Sequence, residues 1–279
     1  MQLTLFSFQH MRLKGRTAVI TGAGGGIGRA IALSLARRGC HLALADIDQT
    51  GMSETANVAR THEVHVSQHR VDVADRNLVA EFPNVVAAEH KSVDVLVNNA
   101  GVAVGGTFDQ VSAEDFEWLF EINFWGVVRM TRAFLPLLRK SDDARVVNLS
   151  SVYGLVAPPE QVAYAASKFA VRGFSEALRH ELERLGMGVT VVHPGGVSTS
   201  IAEKARVPAG ITEEEMERRR AKYRKLLKMP PEIAGEAIVS GLERRQSRVL
   251  VGSDAKIISL IARLWPESYW KLLAKLGGD

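Results

Sequence analysis

The feature that most narrows the fold is an alternation repeated along the chain: a short run of β-branched and aliphatic residues, then a longer stretch whose apolar positions recur with helical spacing. Such runs occupy residues 16–21, 41–45, 64–73, 93–97, 145–149, 188–193 and 248–252. Several are apolar at consecutive positions, as strands buried on both faces are. Parallel neighbours need a crossover, and a helical stretch after each run supplies one. The pattern predicts an α/β fold, a doubly wound parallel sheet with right-handed crossovers. No linker divides it, so one domain is expected over residues 13–252, between an N-terminal extension at 1–12 and an amphipathic tail at 253–279.

Composition excludes several classes. With 46% apolar and 24% charged residues the chain has the balance of a soluble globular protein. A net charge of +4 is small beside 35 basic and 31 acidic residues, so no nucleic-acid partner is expected. No apolar run reaches the ~18 residues of a membrane-spanning helix. Cys40 is the only cysteine, which rules out an intrachain disulfide and fits a cytoplasmic setting. It reads as a small buried apolar residue, with a reactive thiol as the lesser alternative. Residues 1–10 lack a basic n-region and a cleavage site, so they read as an irregular extension, with Met1 and Met11 both open as starts. No metal site is expected.

Two stretches carry chemistry. The first strand runs into Gly22, Gly24, Gly26, Ile27 and Gly28 and then a helix at 27–38. Glycines there let the backbone approach a pyrophosphate, and the helix N-terminus offers unpaired N–H groups to it. Asp46, eighteen residues beyond Gly28, ends the second strand beside Ile47, where a carboxylate accepts the hydroxyls of an adenosine ribose. In the second stretch Tyr164 and Lys168 are four apart in a predicted helix over 161–185, which stacks them on one face. A tyrosine titrates near pH ~10, and a neighbouring ammonium favours its phenolate. Ser151 closes the strand at 145–149, and strand ends are where open α/β sheets keep their chemistry.

Thr21-Gly22-Ala23-Gly24-Gly25-Gly26-Ile27-Gly28, Asn98-Asn99-Ala100-Gly101, Ser151, Tyr164-x-x-x-Lys168 and Pro194-Gly195 together resemble the short-chain dehydrogenase/reductase family, from about Lys14 to about Thr199. The resemblance implies a Rossmann-like fold and NAD(P)-dependent hydride transfer between an alcohol and a ketone. In that reading Tyr164 is the general acid/base, Ser151 bonds the substrate oxygen, and Lys168 tunes the phenol and holds the nicotinamide ribose. Asn123, an amide on the apolar face of a long helix predicted over 112–138, would hold a water joining Lys168 to solvent. Asp72 would take the adenine amino group and Val73 pack on the ring. The cofactor would pass close to Asn99, Ala100 and Gly101. Pro194, Gly195, the backbone of Val197 and the side chain of Thr199 would meet the nicotinamide end.

Asp46 favours NAD over NADP, because a 2′-phosphate would face its carboxylate and neither Gly25, Gly26 nor Ile47 offers a compensating cation. Arg29 and Arg70 are the first alternative sources of one. Val104, Val152, Leu155, Val156 and the tail predict an apolar substrate pocket. The charged run from Glu213 to Arg220 lies in an expected substrate lid at 200–231. The apolar tail, interrupted by Pro266, is expected to pack on the domain or a sister subunit in a homodimer or homotetramer, with peripheral membrane contact the lesser reading. His193 reads as structural. The rival function is a dinucleotide-binding sensor or scaffold without turnover, possible with membrane association through the tail.

Overall fold

The structure is a computed structural model and describes residues 10–208 and 210–277. The extension through Gln9, Ala209 in the expected lid, and the last two residues of the tail lie outside the described residues. Seven parallel strands form one sheet in the order β3-β2-β1-β4-β5-β6-β7. They are β1 (Thr17–Thr21), β2 (His41–Asp46), β3 (Val66–Arg70), β4 (Val95–Asn98), β5 (Arg145–Leu149), β6 (Gly188–Pro194) and β7 (Arg248–Val251). The doubly wound single-domain sheet is therefore as the alternation predicts. Strand order reverses between β1 and β4, which pair Ala18 with Val95 and Ile20 with Val97. In such sheets a crevice opens at that reversal, beyond the carboxyl ends of the strands.

Both faces are covered. One packs on α1 (Gly26–Ala36), α2 (Gln49–Arg60) and α8 (Pro231–Glu243), through Ile31, Leu35, Met52 and Ile238. The other packs on α3 (Arg76–Glu89), α5 (Gly126–Leu138) and α6 (Val162–Glu183), through Phe82, Met130, Phe134 and Leu182. Met11 joins the first core at 2% exposure, and its N–H bonds Glu243 O at 2.8 Å. Cys40 is fully buried, and burial pushes its thiol well up, so the apolar reading holds. Asp48, Asp75 and Ser112 accept first-turn N–H groups of α2, α3 and α4 (Ala113–Phe120), which fixes where those helices start.

The helix expected over 112–138 is continuous but not uniform. Between α4 and α5 the five residues Glu121–Trp125 form a π turn, with Asn123 at its centre. A wider turn inserts an extra residue and re-aims a side chain, a device frequent at functional sites. Beyond β6, α7 (Glu213–Leu226) occupies the expected lid. The tail is two helices, α9 (Ser253–Leu264) and α10 (Tyr269–Gly277). Pro266, which cannot donate an N–H, separates them.

The β3 edge carries a cluster no motif announced. Ser67 Oγ lies 2.7 Å from His69 Nε2 and 2.8 Å from His90 Nε2, all three side chains buried. The His65 and His90 rings lie 4.6 Å apart. Burial, then the neighbouring His65, His69 and His41, lowers His90 from 6.5 to about 4. Burial lowers His69 as well, against the pull of Glu89. With folded values below the unfolded 6.5, the unfolded chain binds more protons as pH falls. Stability is full above that value and is lost as pH falls through it toward about 4. The urea midpoint should hold from about pH 8 to 7 and decline between about pH 6.5 and 5, with a shallower decline in His90→Phe. An equal decline in that variant would contradict the assignment.

Candidate active site

The glycine turn follows β1 directly. Gly22 (φ +67°) and Gly26 (φ +51°) adopt a conformation that disfavours side chains. A Cβ at Gly28 would stand 2.0 Å from Gly22 O, so α1 can leave the strand this tightly only without one. Gly25 faces open space, with no atom within 4 Å of an added Cβ, and as N-cap of α1 it gives no side-chain cap. The first N–H groups of α1 thus lack a side-chain acceptor, and the positive end of the helix faces the crevice. Thr199 approaches from across it, with Cγ2 3.1 Å from a Cβ placed on Gly26. A cradle of backbone donors at a strand–helix turn fits the pyrophosphate of a dinucleotide.

Asp46 ends β2 beside this turn. Its Oδ2 accepts from Gly24 N–H at 2.7 Å and its Oδ1 from Asp48 N–H at 2.9 Å. Each oxygen keeps lone-pair capacity for a further donor. Ile47, 63% exposed, follows it. Asn99 spends both amide protons on the turn, bonding Thr21 O and Gly22 O at 3.0 Å each. Its side chain thereby braces the cradle. Val73 is buried at 6%, and its Cγ2 lies 2.8 Å from a Cβ placed on Gly126, so the side chain packs closely on α5. Asp72 is exposed, accepting Ala74 N–H at 2.9 Å.

The expected catalytic side chains do converge. The Ser151 side chain neighbours the Tyr164 phenol and acts to lower its pKa, and its Oγ accepts Tyr153 N–H at 3.1 Å. Lys168 is 4% exposed, donates to Leu149 O at 3.2 Å, and places Nζ 5.5 Å from the Tyr164 ring centroid. One expectation fails in this state. Burial, opposed by the Ser151 hydrogen bond, pushes the Tyr164 phenol up to about 12 rather than down. The same burial pushes Lys168 down to about 8. Desolvation disfavours the charged form of each group, and the neighbouring Tyr153 phenol adds to the rise at Tyr164.

Asn123 is fully buried. Its Oδ1 accepts Val102 N–H at 2.8 Å, and its Nδ2 donates to Val102 O at 3.0 Å and Ser167 Oγ at 3.2 Å. Both donors are spent, so the amide ties the π turn to the chain beyond β4 and to α6. A Cβ on Gly101 would lie 3.1 Å from Asn123 Oδ1 and 3.5 Å from Lys168 Nζ, which places these groups around one point.

Residues without a motif complete the site. Tyr153 meets the Tyr164 ring edge-on at 6.1 Å. Asp254, at the start of α9, accepts Gly196 N–H at 2.7 Å, and Tyr269 Oη accepts Ala157 N–H at 3.1 Å. The tail thus holds the loops after β6 and after Ser151. Arg206 pairs with Asp115 at 2.7 Å and lies 3.5 Å over the Trp118 ring, while its N–H bonds Ala103 O at 3.0 Å. Val104, Val152, Leu155 and Val156 are all buried beneath these segments.

A glycine cradle, a carboxylate at the second strand end and a Ser–Tyr–Lys constellation on one sheet edge define a dinucleotide-binding oxidoreductase. The family model of the short chain dehydrogenases matches residues 16–209, and the chain belongs to that family. It is 43% identical over 265 residues to the oxidoreductase SadH of Mycobacterium tuberculosis, covering 94% of this chain and 95% of that protein. It is 33% identical over 194 residues to the 3-oxoacyl-[acyl-carrier-protein] reductase FabG of Thermotoga maritima, covering 70% of this chain and 79% of that one. A solved short-chain dehydrogenase from Burkholderia phymatum in complex with NAD superposes with a TM-score of 0.84 at 31% identity, covering 94% of this chain and 96% of that one.

Proposed function

We propose that this short-chain dehydrogenase is a cytoplasmic, homo-oligomeric enzyme that exchanges a hydride between an apolar alcohol or ketone and NAD, with Tyr164 as acid/base. The carrying observation is a buried Lys168 whose Nζ lies 5.5 Å from the Tyr164 ring centroid, with Ser151 alongside. The dinucleotide supplies the hydride acceptor or donor. Oxidation removes a hydride from carbon and a proton from oxygen; the proton goes to the Tyr164 oxygen, and in reduction it returns. Ser151 Oγ orients the substrate oxygen against that phenol. Lys168 stabilises the phenolate and donates toward the cofactor ribose, while Asn123 fixes the surrounding backbone and, with its remaining acceptor, a relay water. Gly22, Gly24, Gly26, Ile27 and Gly28 hold the pyrophosphate. Asp46, Ile47, Asp72 and Val73 hold the adenosine, Val73 packing on the ring, with Asn99, Ala100, Gly101, Pro194, Gly195, Val197 and Thr199 along the rest. A sensor or scaffold has no use for an ammonium kept out of water beside a phenol, which disfavours that alternative.

Asp46 also supports NAD over NADP, since its carboxylate repels a 2′-phosphate. Arg29 offers no relief: it bonds Thr55 Oγ1, Gly24 O, Gly51 O and Glu54. Tyr164→Phe keeps the ring and removes the transferable proton. Turnover of secondary alcohols should fall by at least ~100-fold while NADH binding is retained. Activity within about tenfold of wild type would sink the assignment.

The outer face of the tail supports a second proposal, contact with an anionic membrane surface. Ile257, Leu260, Leu264 and Trp265 are 48–58% exposed, while Ala255 and Ile261 face inward. Lys256, Arg263, Lys271 and Lys275 accompany that face, against Glu267 alone among the described residues of the tail once Asp254 is spent on Gly196. Apolar and aromatic side chains flanked by cations suit a headgroup boundary, whereas a two-fold contact between identical copies would set these cations against each other. Trp125 and Phe169, 45% and 39% exposed, leave other apolar surface for self-association. Vesicles of phosphatidylglycerol should float the protein at low salt, those of phosphatidylcholine should not, and Leu260→Glu/Leu264→Glu should abolish flotation. Absence of flotation, or a double variant that changes only the sedimenting mass, would assign the face to a second copy instead.

A further inference from the structure

Strands β5 and β6 pair up to Leu149 and Val192, and their last rung is Ser150 N–H to Val192 O at 2.8 Å. In a parallel ladder the next rung runs from the N–H two residues further along β6 back to Ser150 O. That residue is Pro194, which has no N–H. The ladder therefore stops just short of Ser151, the residue whose hydroxyl meets Tyr164. At this gap a side chain crosses in place of the backbone. His193 Nδ1 lies 2.9 Å from the Ser151 carbonyl oxygen. A carbonyl oxygen only accepts, so Nδ1 carries the proton and donates. The ring is fully buried, and its other nitrogen, Nε2, has no partner among the described residues. Burial keeps the ring neutral, with its pKa lowered to about 4. An imidazole held in the core with one nitrogen unsatisfied is a poor packing element, and an aliphatic side chain would fill the space without that cost.

We infer that His193 is a positioning residue for Ser151, its Nδ1–H binding Ser151 O one residue past the Ser150 O rung that Pro194 cannot make, and so fixing the backbone that carries the Ser151 hydroxyl beside Tyr164. Other bonds share the grip on this segment, with Ser150 Oγ donating to Lys168 O at 2.8 Å and Tyr153 N–H to Ser151 Oγ at 3.1 Å. Lys168 Nζ donates to Leu149 O at 3.2 Å, and Gly154 N–H donates to Ser151 O at 2.9 Å. Without His193, Ser151 would be held only by the turn that follows it, and small displacements of a group oriented for reaction are costly in rate.

Three variants separate a hydrogen-bond donor from a space filler. His193→Asn keeps an N–H near the Nδ1 position, His193→Gln carries its amide out toward the Nε2 position, and His193→Leu keeps apolar bulk alone. With NAD and a secondary alcohol, kcat should fall roughly tenfold or more in the Gln and Leu variants, while Asn stays within about threefold of wild type. NADH affinity should be unchanged in all three. Amide hydrogen exchange over residues 150–156 reads the same hold without turnover, faster in Gln and Leu and close to wild type in Asn. A Leu variant as active and as protected as Asn, or an Asn variant as impaired as Leu, would overturn the inference by showing that only packing matters. If Leu does not fold, the Asn–Gln pair carries the comparison. The kinetic half rests on the hydride-transfer reading. A wild-type protein inactive on alcohols and ketones would defeat that reading, while the exchange measurement would still decide whether His193 holds Ser151.

Discussion

Parallel pairing with a reversal of strand order between β1 and β4 is the constraint from which the site follows. It brings the carboxyl ends of β1, β2, β4, β5 and β6 to one edge, so the glycine turn, Asp46, Asn99, Ser151 and the Pro194 loop become neighbours though far apart in sequence. Close approach makes the edge compact. Gly28 passes Gly22 O so tightly that a Cβ would stand 2.0 Å from it, and the Asn99 amide bonds Gly22 O at 3.0 Å. The first turn of α1 is thereby aimed into the crevice, where its unpaired N–H groups face an anion.

Burial sets the charge state of the reacting groups. Lys168 is taken out of water and Tyr164 is partly buried, which lowers the lysine to about 8 and raises the phenol to about 12. Under the proposed reaction, a phenol raised to about 12 keeps its proton at neutral pH in the free site, the form that would serve ketone reduction, while alcohol oxidation would gain as pH rises until Lys168 loses its proton. A sequence argument from the four-residue spacing alone sees the attraction and misses the desolvation, which is a property of the packed site.

What was legible in the sequence was whatever local pattern determines. Consecutive apolar positions gave the buried strands, Ser112 opened the long helix expected over 112–138, and Tyr164 and Lys168 share a helix face because four residues make about one turn. Roles that depend on distant partners were not legible. The close packing of Val73 on Gly126 depends on α5 being docked and has no local signal. Asn123 carries a family role by resemblance, yet its donors are taken by Val102 and Ser167, one of them forty-four residues away. Asp254 and Tyr269 sit in a tail with no motif, and only the fold returns them to the loops after β6 and Ser151. The β3 histidine cluster was invisible because alternate positions on a strand and a residue beyond the next helix meet only when the strand is docked.

The most direct test of the account is the choice of dinucleotide, because it interrogates the cradle, the strand end and the charge of Asp46 without needing the physiological substrate. Asp46 is held by Gly24 and Asp48 N–H groups, so its carboxylate cannot swing away to admit a phosphate without losing both bonds. A lost ribose hydrogen bond and a like-charge contact together amount to a few kcal/mol, roughly a hundredfold in affinity. Titration of the wild-type protein with NADH and NADPH should give that preference for NADH, and Asp46→Ala should narrow it. Equal affinities in the wild type would contradict the account and point to Arg70, the β3 register partner of Asp46, as the cation that meets the phosphate.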